Sequence, residues 1–370
     1  MSQPPSSPPA ASRPSLPCSG CGAHLQYEPG TAGLSCPYCG HRQEVGAPTR
    51  EVREHAFATI VAKPRRPAHE LAAHHYDCRN CGAHVQGGAL SRVCQFCSAP
   101  LVADTTDDPQ IVPEAILAFG LDRNAAREAL RTWTRSRWFA PNGLKKVADA
   151  ESMKSTFLPH WTFDSATTSD YKGQRGQYYY VTETYTATVN GKQETRTRQV
   201  RKTRWYPARG RVSRRFDDVL VTGIDRGPVD AERLKALEPW PLTSAVAFQP
   251  DYLTGHETLR YDVEPESGFA KAKAEMAPVI EQDCRHDIGG DVQRVSHVDT
   301  RYDAVTCKLM LLPVWTGSYV YQGKSWQIMV NGCTGEVHGE RPYSVTKIVA
   351  ASLAALILVA LVAWLFITYG

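Results

Sequence analysis

The chain lacks the features of a secreted protein. Its first 17 residues are rich in Ser, Pro and Ala and contain no apolar stretch, so we expect no secretory signal peptide there. Without one, the reducing cytosol is the expected compartment, where paired cysteine thiols hold metal more often than they form disulfides. Residues 1–16 are predicted to be a disordered tail.

A large excess of charge of one sign is also missing. The 42 Lys and Arg residues nearly balance the 38 Asp and Glu residues, which leaves a net charge of +4 over 370 residues. A charge this small does not by itself indicate a nucleic-acid partner or an acidic substrate.

The sequence contains no convincing nucleotide-binding or catalytic motif. GSYVYQGKS resembles a phosphate-binding loop, but five residues separate Gly317 from Gly323 where that motif has four. Cys284 and His286 could suggest a nucleophile and its base, yet residues two apart on a helix point to different faces. We therefore expect neither helicase nor hydrolase activity, and no small-molecule substrate.

Cysteine, by contrast, is abundant and regularly spaced. Eight of the 11 cysteines form four Cys-x-x-Cys pairs, and the segment CSGCGAHLQYEPGTAGLSCPYCG recurs as CRNCGAHVQGGALSRVCQFCS. Two such pairs, separated by about the length of a hairpin, can enclose a zinc ion with four thiolates. The predicted ligands are Cys18, Cys21, Cys36 and Cys39 in the first ribbon and Cys78, Cys81, Cys94 and Cys97 in the second.

These eight cysteines predict two structural Zn²⁺ ions as cofactors. Four thiolates leave no open coordination position, so neither site is expected to be catalytic. The alternative is a redox dithiol or unliganded thiols. His24 and His84 follow the first pair of each repeat, but a complete set of cysteines makes them unnecessary as ligands.

Residues 109–344 are predicted to form a β-rich α+β domain. Asp122 can cap a helix that runs to about Trp138. Two further helices are predicted over 230–237 and 267–284, the second interrupted by its proline.

Several shorter patterns predict strands. Residues 57–61 have the composition of a short strand, and two more strands are expected around Gly323 and Asn331. The sequence LPHW at Leu158 is echoed by LPVW at Leu312, which indicates two related strands in one sheet.

The clearest strand pattern is a hairpin. YYYVTETYTATV is followed by Asn190 and Gly191 and then by KQETRTRQVRKTRWY. Asn-Gly between β-branched and aromatic runs favours a two-residue turn, because both turn positions need positive φ. The resulting register pairs Glu183 with Arg198, Tyr185 with Arg196 and Val181 with Val200.

The second strand of this hairpin is strongly basic. Ten residues from Lys192 to Arg215 are Lys or Arg, and only Glu194 is acidic. Such a surface could contact lipid headgroups, other anions or nucleic acid. The alternative, which we favour, is a solvated strand face paired with nearby acids, among them Glu183, Asp217 and Asp218. The candidate contact residues are Arg196, Arg198, Arg201, Lys202 and Arg204.

The last element is predicted to cross a membrane over residues 347–369. From 348 to 367 no residue is charged and only Ser352 is polar, and at about 1.5 Å per residue this run spans a hydrocarbon layer of about 30 Å. Arg341 and Lys347 precede it, so the bulk of the chain should lie in the cytoplasm, held to the inner membrane by a single pass. A buried core helix is the alternative.

These features together resemble a family of bacterial membrane-anchored zinc-ribbon proteins. The resemblance rests on the paired ribbons, PHWTFD at 159–164, YKGQRG with the YYY hairpin, LPVW at 312–315, NGCTGEVHGERPYS at 331–344 and the C-terminal helix. Members are often labelled primosomal protein N′, superfamily II helicase-like or TFIIB-type zinc ribbon-containing. The resemblance implies a membrane adaptor that recruits flotillin-like or phage-shock-protein-A-like proteins, with the eight cysteines and the anchor as its functional residues.

We therefore expect a multidomain, non-enzymatic adaptor: two small β zinc ribbons on a flexible tether, a β-rich α+β cytoplasmic domain and one transmembrane helix. A membrane-tethered nucleic-acid-binding protein is the alternative. The predicted boundaries are 17–43 for the first ribbon, 44–75 for a basic linker, 76–103 for the second ribbon, 109–344 for the domain and 347–369 for the anchor.

Overall fold

The computed structural model describes residues 17–31, 33–46, 50–63, 74–77, 84–87, 91–93, 100–102, 111–137, 153–189, 192–225, 231–321, 324–339 and 344–369. The strands are β1 Gln26–Tyr27, β2 Gly33–Ser35, β3 Arg42–Glu44, β4 His55–Ala56, β5 His74–Asp77, β6 His84–Gly87, β7 Ser91–Val93, β8 Pro100–Val102, β9 Ala115–Ile116, β10 Lys154–Val189, β11 Lys192–Thr222, β12 Val246–Ala247, β13 Glu257–Thr258, β14 Val292–Tyr321, β15 Lys324–Asn331 and β16 Val337–Gly339. The helices are α1 Phe57–Ala62, α2 Arg123–Arg135, α3 Ala231–Lys235, α4 Pro265–Ile288 and α5 Val345–Tyr369, with 3₁₀ turns at Leu242–Ser244 and Pro250–Leu253.

Three long antiparallel strands organise the larger sheet. β10 pairs with β11 along one edge and with β14 along the other. β10 has 36 residues, which at about 3.3 Å per residue corresponds to roughly 115 Å of extended chain. The register shifts where β10 passes Asp164 and Lys172, and such bulges bend a strand and increase its twist.

The predicted hairpin register is confirmed. Val189 pairs with Lys192, so two residues connect β10 to β11, although those two lie outside the described residues. The pairs Glu183–Arg198, Tyr185–Arg196 and Val181–Val200 are all present.

The two LPxW sequences lie side by side, which confirms that they belong to one sheet. Leu158 of β10 is the partner of Leu312 of β14. Because the strands are antiparallel, a pseudo-twofold axis passes between these leucines and relates the two strands to each other.

The surroundings of the two strands obey the same symmetry. The short strand β13 runs parallel to β10, and β9 runs parallel to β14. Gly223 N–H donates to the Pro159 carbonyl and Gly332 N–H donates to the Pro313 carbonyl, both at 2.9 Å. The domain is therefore built from two related halves, each a short strand, a helix and a hairpin, which is long in the first half (β10–β11) and short in the second (β14–β15).

Both faces of the central part of the sheet are covered. Leu158 and Leu312 pack on one face against α3 and the turn that follows it. On the other face Trp161 lies under α4 and α1, whereas Trp315 lies under α2 and the β1–β3 sheet. These clusters hold most of the fully buried side chains of the described residues.

The helix predicted from Asp122 is confirmed. The Asp122 carboxylate accepts a hydrogen bond from Ala125 N–H at 2.7 Å, which satisfies one of the free donors at the helix start. The helix ends at Arg135, close to the predicted end. The helix predicted over 230–237 is present as α3.

The predicted interruption at Pro278 is wrong, since α4 runs unbroken from Pro265 to Ile288. Pro278 removes a hydrogen bond to the Ala274 carbonyl, but both residues lie on the exposed side of the helix, where water can replace it. Buried residues at helical spacing, such as Ala272 and Met276, hold the other side against the sheet.

The segment 50–63 differs from the predicted flexible linker. β4 pairs with β14 through Ala56 and Thr306, and residues 57–61 lie in helix α1, so the predicted strand there is wrong. Five residues are too few for periodicity to separate helix from strand. Packing against the core favours the helix over the strand, because Ile60 is 2% exposed within the cluster around Trp161.

One apolar helix, α5, forms the C-terminal end of the described residues. Thr346–Thr368 has a mean hydropathy of 2.8 and is not buried against the rest of the chain. By length and composition α5 is a candidate membrane span.

Candidate metal centre and basic hairpin

Four cysteine sulfurs of the first ribbon lie together. The Sγ atoms of Cys18, Cys21, Cys36 and Cys39 all lie within 4.8 Å of one another. Cys18 Sγ is 3.5 Å from Cys39 Sγ, and Cys21 Sγ is 3.6 Å from Cys36 Sγ. Four sulfurs placed about 2.3 Å from a central ion form a tetrahedron with edges of about 3.8 Å. The donor set therefore fits one tetrahedral metal ion, and it leaves no position for a substrate.

Backbone geometry closes each Cys-x-x-Cys turn. Gly22 and Gly40 follow the second cysteine of each pair with φ of +74° and +71°, a conformation that glycine adopts without strain. Their N–H groups donate to the carbonyls of Cys18 and Cys36 at 2.8 and 2.9 Å. The backbone N–H of Cys39 contributes most to lowering the pKa of Cys36 to about 6, whereas the neighbouring Cys21 and Cys18 thiols raise the pKa of Cys39 to about 12, so the sulfurs titrate as one coupled set.

The first ribbon is packed on the central domain and is not held on a flexible tether. Leu25, Tyr27 and Leu34 are almost fully buried in the cluster that contains Trp315. Tyr27 N–H also donates to the Thr254 carbonyl at 2.9 Å. The expected freely moving ribbon is wrong for this repeat, because its apolar residues face the domain.

His256 joins the first ribbon to the domain, and the sequence analysis did not single it out. Its Nε2 lies 3.0 Å from the Tyr27 carbonyl and its Nδ1 lies 2.6 Å from Ser155 Oγ. The Nε2–H tautomer satisfies both, with Ser155 donating to Nδ1. Burial lowers the pKa of His256 to about 4, so the ring is neutral at pH 7. No motif around His256 marks it in the sequence.

The predicted second metal site lies outside the described residues, since Cys78, Cys81, Cys94 and Cys97 are all outside them. Parts of that ribbon are described as strands. β5 pairs with β6, and β7 pairs with β8 and, through Ser91 and Thr258, with β13.

The basic residues of the hairpin fall on two faces. Because paired residues share a face and neighbours alternate, Arg196, Arg198, Lys202 and Arg204 lie on one face, whereas Arg201 lies on the other. The predicted pairing with Glu183 is confirmed, with Lys202 Nζ at 3.1 Å and an Arg198 nitrogen at 3.5 Å.

Asp218, one of the two further predicted acid partners, pairs elsewhere. Asp218 binds Lys308, whose side chain is 7% exposed and also binds Glu54. Asp164 and Asp218 lie close enough to Glu54 to suggest a cation site, but the Lys308 ammonium already supplies the positive charge. This cluster ties segment 50–63 to the sheet.

Cys284 and His286 are not brought together. Cys284 is fully buried in the core under α4, where burial raises the pKa of its thiol, while His286 is exposed. A thiol held protonated in an apolar core is a poor nucleophile.

The described chain is thus β-rich, with a cluster of four cysteines that could hold a metal ion and one candidate transmembrane helix. It is similar to the uncharacterized protein YdjG of Bacillus subtilis (strain 168), with 24% identity over 343 residues that cover 90% of this chain and 91% of YdjG. No protein-family model matches the chain. No solved structure matches it either.

Proposed function

We propose that this protein is a non-enzymatic adaptor, anchored in the bacterial inner membrane by α5, that recruits cytoplasmic proteins through its zinc ribbons. The observation that carries the proposal is the closed set of four sulfurs, fixed on a domain that is joined to an exposed apolar helix. A metal site with no open coordination position stabilises the fold around it and does not catalyse a reaction.

Zinc is the metal that this donor set favours. Four thiolates in a tetrahedron suit Zn²⁺, which has no geometric preference of its own and is available in the cytosol. Cys18, Cys21, Cys36 and Cys39 would hold the first ion and the four cysteines of the second repeat would hold another. When bound, the ion fixes the two turns of each ribbon.

The exposed side of the first ribbon offers a surface for a partner. Tyr38 lies between the third and fourth ligands and is 78% exposed. Tyrosine is among the residues that dominate binding energy at protein interfaces. The packed side of the ribbon orients Tyr38 away from the domain core, and the resemblance to membrane adaptors suggests flotillin-like or phage-shock-protein-A-like partners.

The test is site-specific photo-cross-linking in cells that express the full chain. A photoreactive phenylalanine analogue at Tyr38 should form a discrete adduct with one cytoplasmic protein, whereas the same analogue at Tyr206, which is 38% exposed on the hairpin, should not. Substitution Cys36→Ser should abolish the Tyr38 adduct while the chain stays in the membrane. An adduct that is absent, or that survives the loss of the metal ligand, would argue against the adaptor function.

A further inference from the structure

The β10–β11 hairpin extends well past the rest of the sheet. β14 begins at Val292, which pairs with Gly176, and among the described residues no third strand accompanies the hairpin beyond that point. We call residues 177–189 and 192–204 the hairpin arm. At about 3.3 Å per residue the arm is roughly 43 Å long. A two-stranded ribbon without a covered face is marginally stable in water, so a partner that covers one face would stabilise it.

The two faces of the arm differ in charge. One face, here called the basic face, carries Arg196, Arg198, Lys202 and Arg204, all exposed. Glu183 lies on the same face, held between Arg198 and Lys202, and the backbone of Lys192 and Glu194 continues the same register. The opposite face carries Arg201 as its single charged residue among threonines, glutamines and aromatic side chains.

Half-exposed tyrosines accompany the cations of the basic face. Tyr179 and Tyr185 are 38% and 41% exposed. The Arg204 guanidinium lies 5.1 Å from the centre of the Tyr179 ring, and that of Arg198 lies 5.6 Å from the Tyr185 ring. Arginine with tyrosine is the combination found at the headgroup level of membranes, where charged groups meet phosphates and aromatic rings meet the polar–apolar boundary.

The anchor starts near the other end of the long strands. Lys154 pairs with Thr316, and the adjacent β15–β16 hairpin ends at Gly339. Only five residues separate Gly339 from Val345, where α5 starts, so the start of α5 lies within about 22 Å of Gly339. The arm lies up to roughly 115 Å away along β10. It can touch the bilayer only if the long axis of the sheet lies along the membrane.

We propose that the basic face of the arm binds anionic lipid headgroups of the membrane in which the chain is anchored, and so lays the sheet along that membrane. The inference rests on the proposed membrane anchor, because α5 keeps one polyanionic surface permanently within reach. Tethering raises the local concentration to the millimolar range, so a weak attraction suffices. An exposed Lys or Arg near an anionic leaflet contributes about fivefold in affinity.

The experiment uses the full chain in lipid nanodiscs of phosphatidylcholine alone, or with roughly a third phosphatidylglycerol. Amide hydrogen exchange is followed in peptides from the arm. We expect exchange in the arm to slow by about tenfold or more in the anionic nanodiscs, since several cations act together. The triple variant Arg196→Gln, Arg198→Gln, Lys202→Gln should lose the slowing, and the matched variant Arg201→Gln on the opposite face should keep it.

Four results would overturn the proposal. Equal exchange in neutral and anionic nanodiscs would show that the arm does not bind lipid. Loss of the slowing in Arg201→Gln would refute the assignment to the basic face. Slowing that appears only when a short DNA duplex is added would identify a nucleic-acid surface instead. Failure of the chain to enter nanodiscs would refute the anchor as well, which separates that case from a failure of the arm alone.

Discussion

Trp161 and Trp315 make the same hydrogen bond in the two halves of one sheet. The Trp161 indole N–H donates to the Val263 carbonyl at 2.8 Å, and that of Trp315 donates to the Leu121 carbonyl at 3.1 Å. Each acceptor lies two positions before a helix, α4 or α2. The indoles thereby fix the angle at which each helix meets the sheet, and they make the internal duplication visible in atomic contacts.

The equivalence predicts similar costs for losing either indole. Trp161→Phe leaves the buried Val263 carbonyl without its donor and Trp315→Phe does the same to the partly buried Leu121 carbonyl, so each should reduce the free energy of unfolding by about 1–3 kcal/mol. Trp364→Phe in the apolar helix, where the ring is 58% exposed, should change it little. Urea unfolding of the detergent-solubilised chain measures all three. A large effect for one indole and none for the other would refute the functional equivalence of the halves.

The same symmetry explains how the N-terminal segments are held. His256 precedes β13 and binds the first ribbon at Tyr27. Glu114 precedes β9 and binds segment 50–63 through Arg50 and, at 3.0 Å, through His55. Equivalent positions in the two halves thus receive different parts of the N-terminal region.

His256→Ala should release the ribbon without releasing its metal. The variant loses the hydrogen bonds to Tyr27 and Ser155, so amide exchange at Tyr27 and Gly30 should accelerate. The metal content of the purified chain should stay unchanged, because the sulfurs are not touched. Loss of metal in this variant would show that docking and metal binding are one event and not two.

The buried Lys308 cluster gives a third prediction. Lys308→Met leaves Glu54 and Asp218, whose side chains are 32% and 27% exposed, without their cation, and this should cost about 1–3 kcal/mol because water still reaches both carboxylates. Lys235→Met removes an ion pair with Glu275 whose side chains are 57% and 45% exposed, so it should cost under about 1 kcal/mol. Denaturant midpoints of the two variants test the contrast, and equal values would contradict it.

The free energy of unfolding should decrease below neutral pH because the folded chain buries neutral histidines such as His160. Burial lowers the pKa of His160 to about 4, whereas in the unfolded chain it is about 6.5. Above pH 6.5 neither state binds the proton. As the pH falls from 6.5 towards 4, only the unfolded state binds it, so stability is lost across this window.

The variant His160→Asn isolates the contribution of the His160 pKa to stability. His160 Nδ1 lies 3.2 Å from the Leu158 carbonyl oxygen, and the asparagine amide can still donate a hydrogen bond to that oxygen. The wild-type chain should lose about 0.8 kcal/mol more than this variant between about pH 7.5 and pH 6.0. Parallel pH dependence of the two urea midpoints would show that His160 is not a neutral, buried group.

Local sequence patterns predicted much of the fold. The Asn-Gly turn fixed the hairpin register, since a single shift would exchange its faces, and Asp122 marked a helix start. The cysteine spacing predicted the cluster of the first repeat, because each Cys-x-x-Cys turn is determined by adjacent residues. The echo between Leu158 and Leu312 indicated the shared sheet.

Contacts between distant segments could not be found this way. The docking of segment 50–63 depends on Glu114 and Lys308, which lie far along the chain, and no local pattern encodes those partners. Pro278 in α4 is tolerated only because its side of the helix faces solvent. The face that carries Arg201, by contrast, was open to sequence reasoning, because neighbouring residues of a strand alternate faces and the register was already predicted.

The most direct test of the account is the zinc content of the full chain in membranes washed at alkaline pH. We predict that the chain stays in the membrane pellet and carries about two zinc ions per molecule, falling to about one in Cys36→Ser. A chain that is stripped from the membrane by the wash, or that stays there with no stoichiometric zinc, would contradict the proposal of a membrane-anchored zinc-ribbon protein.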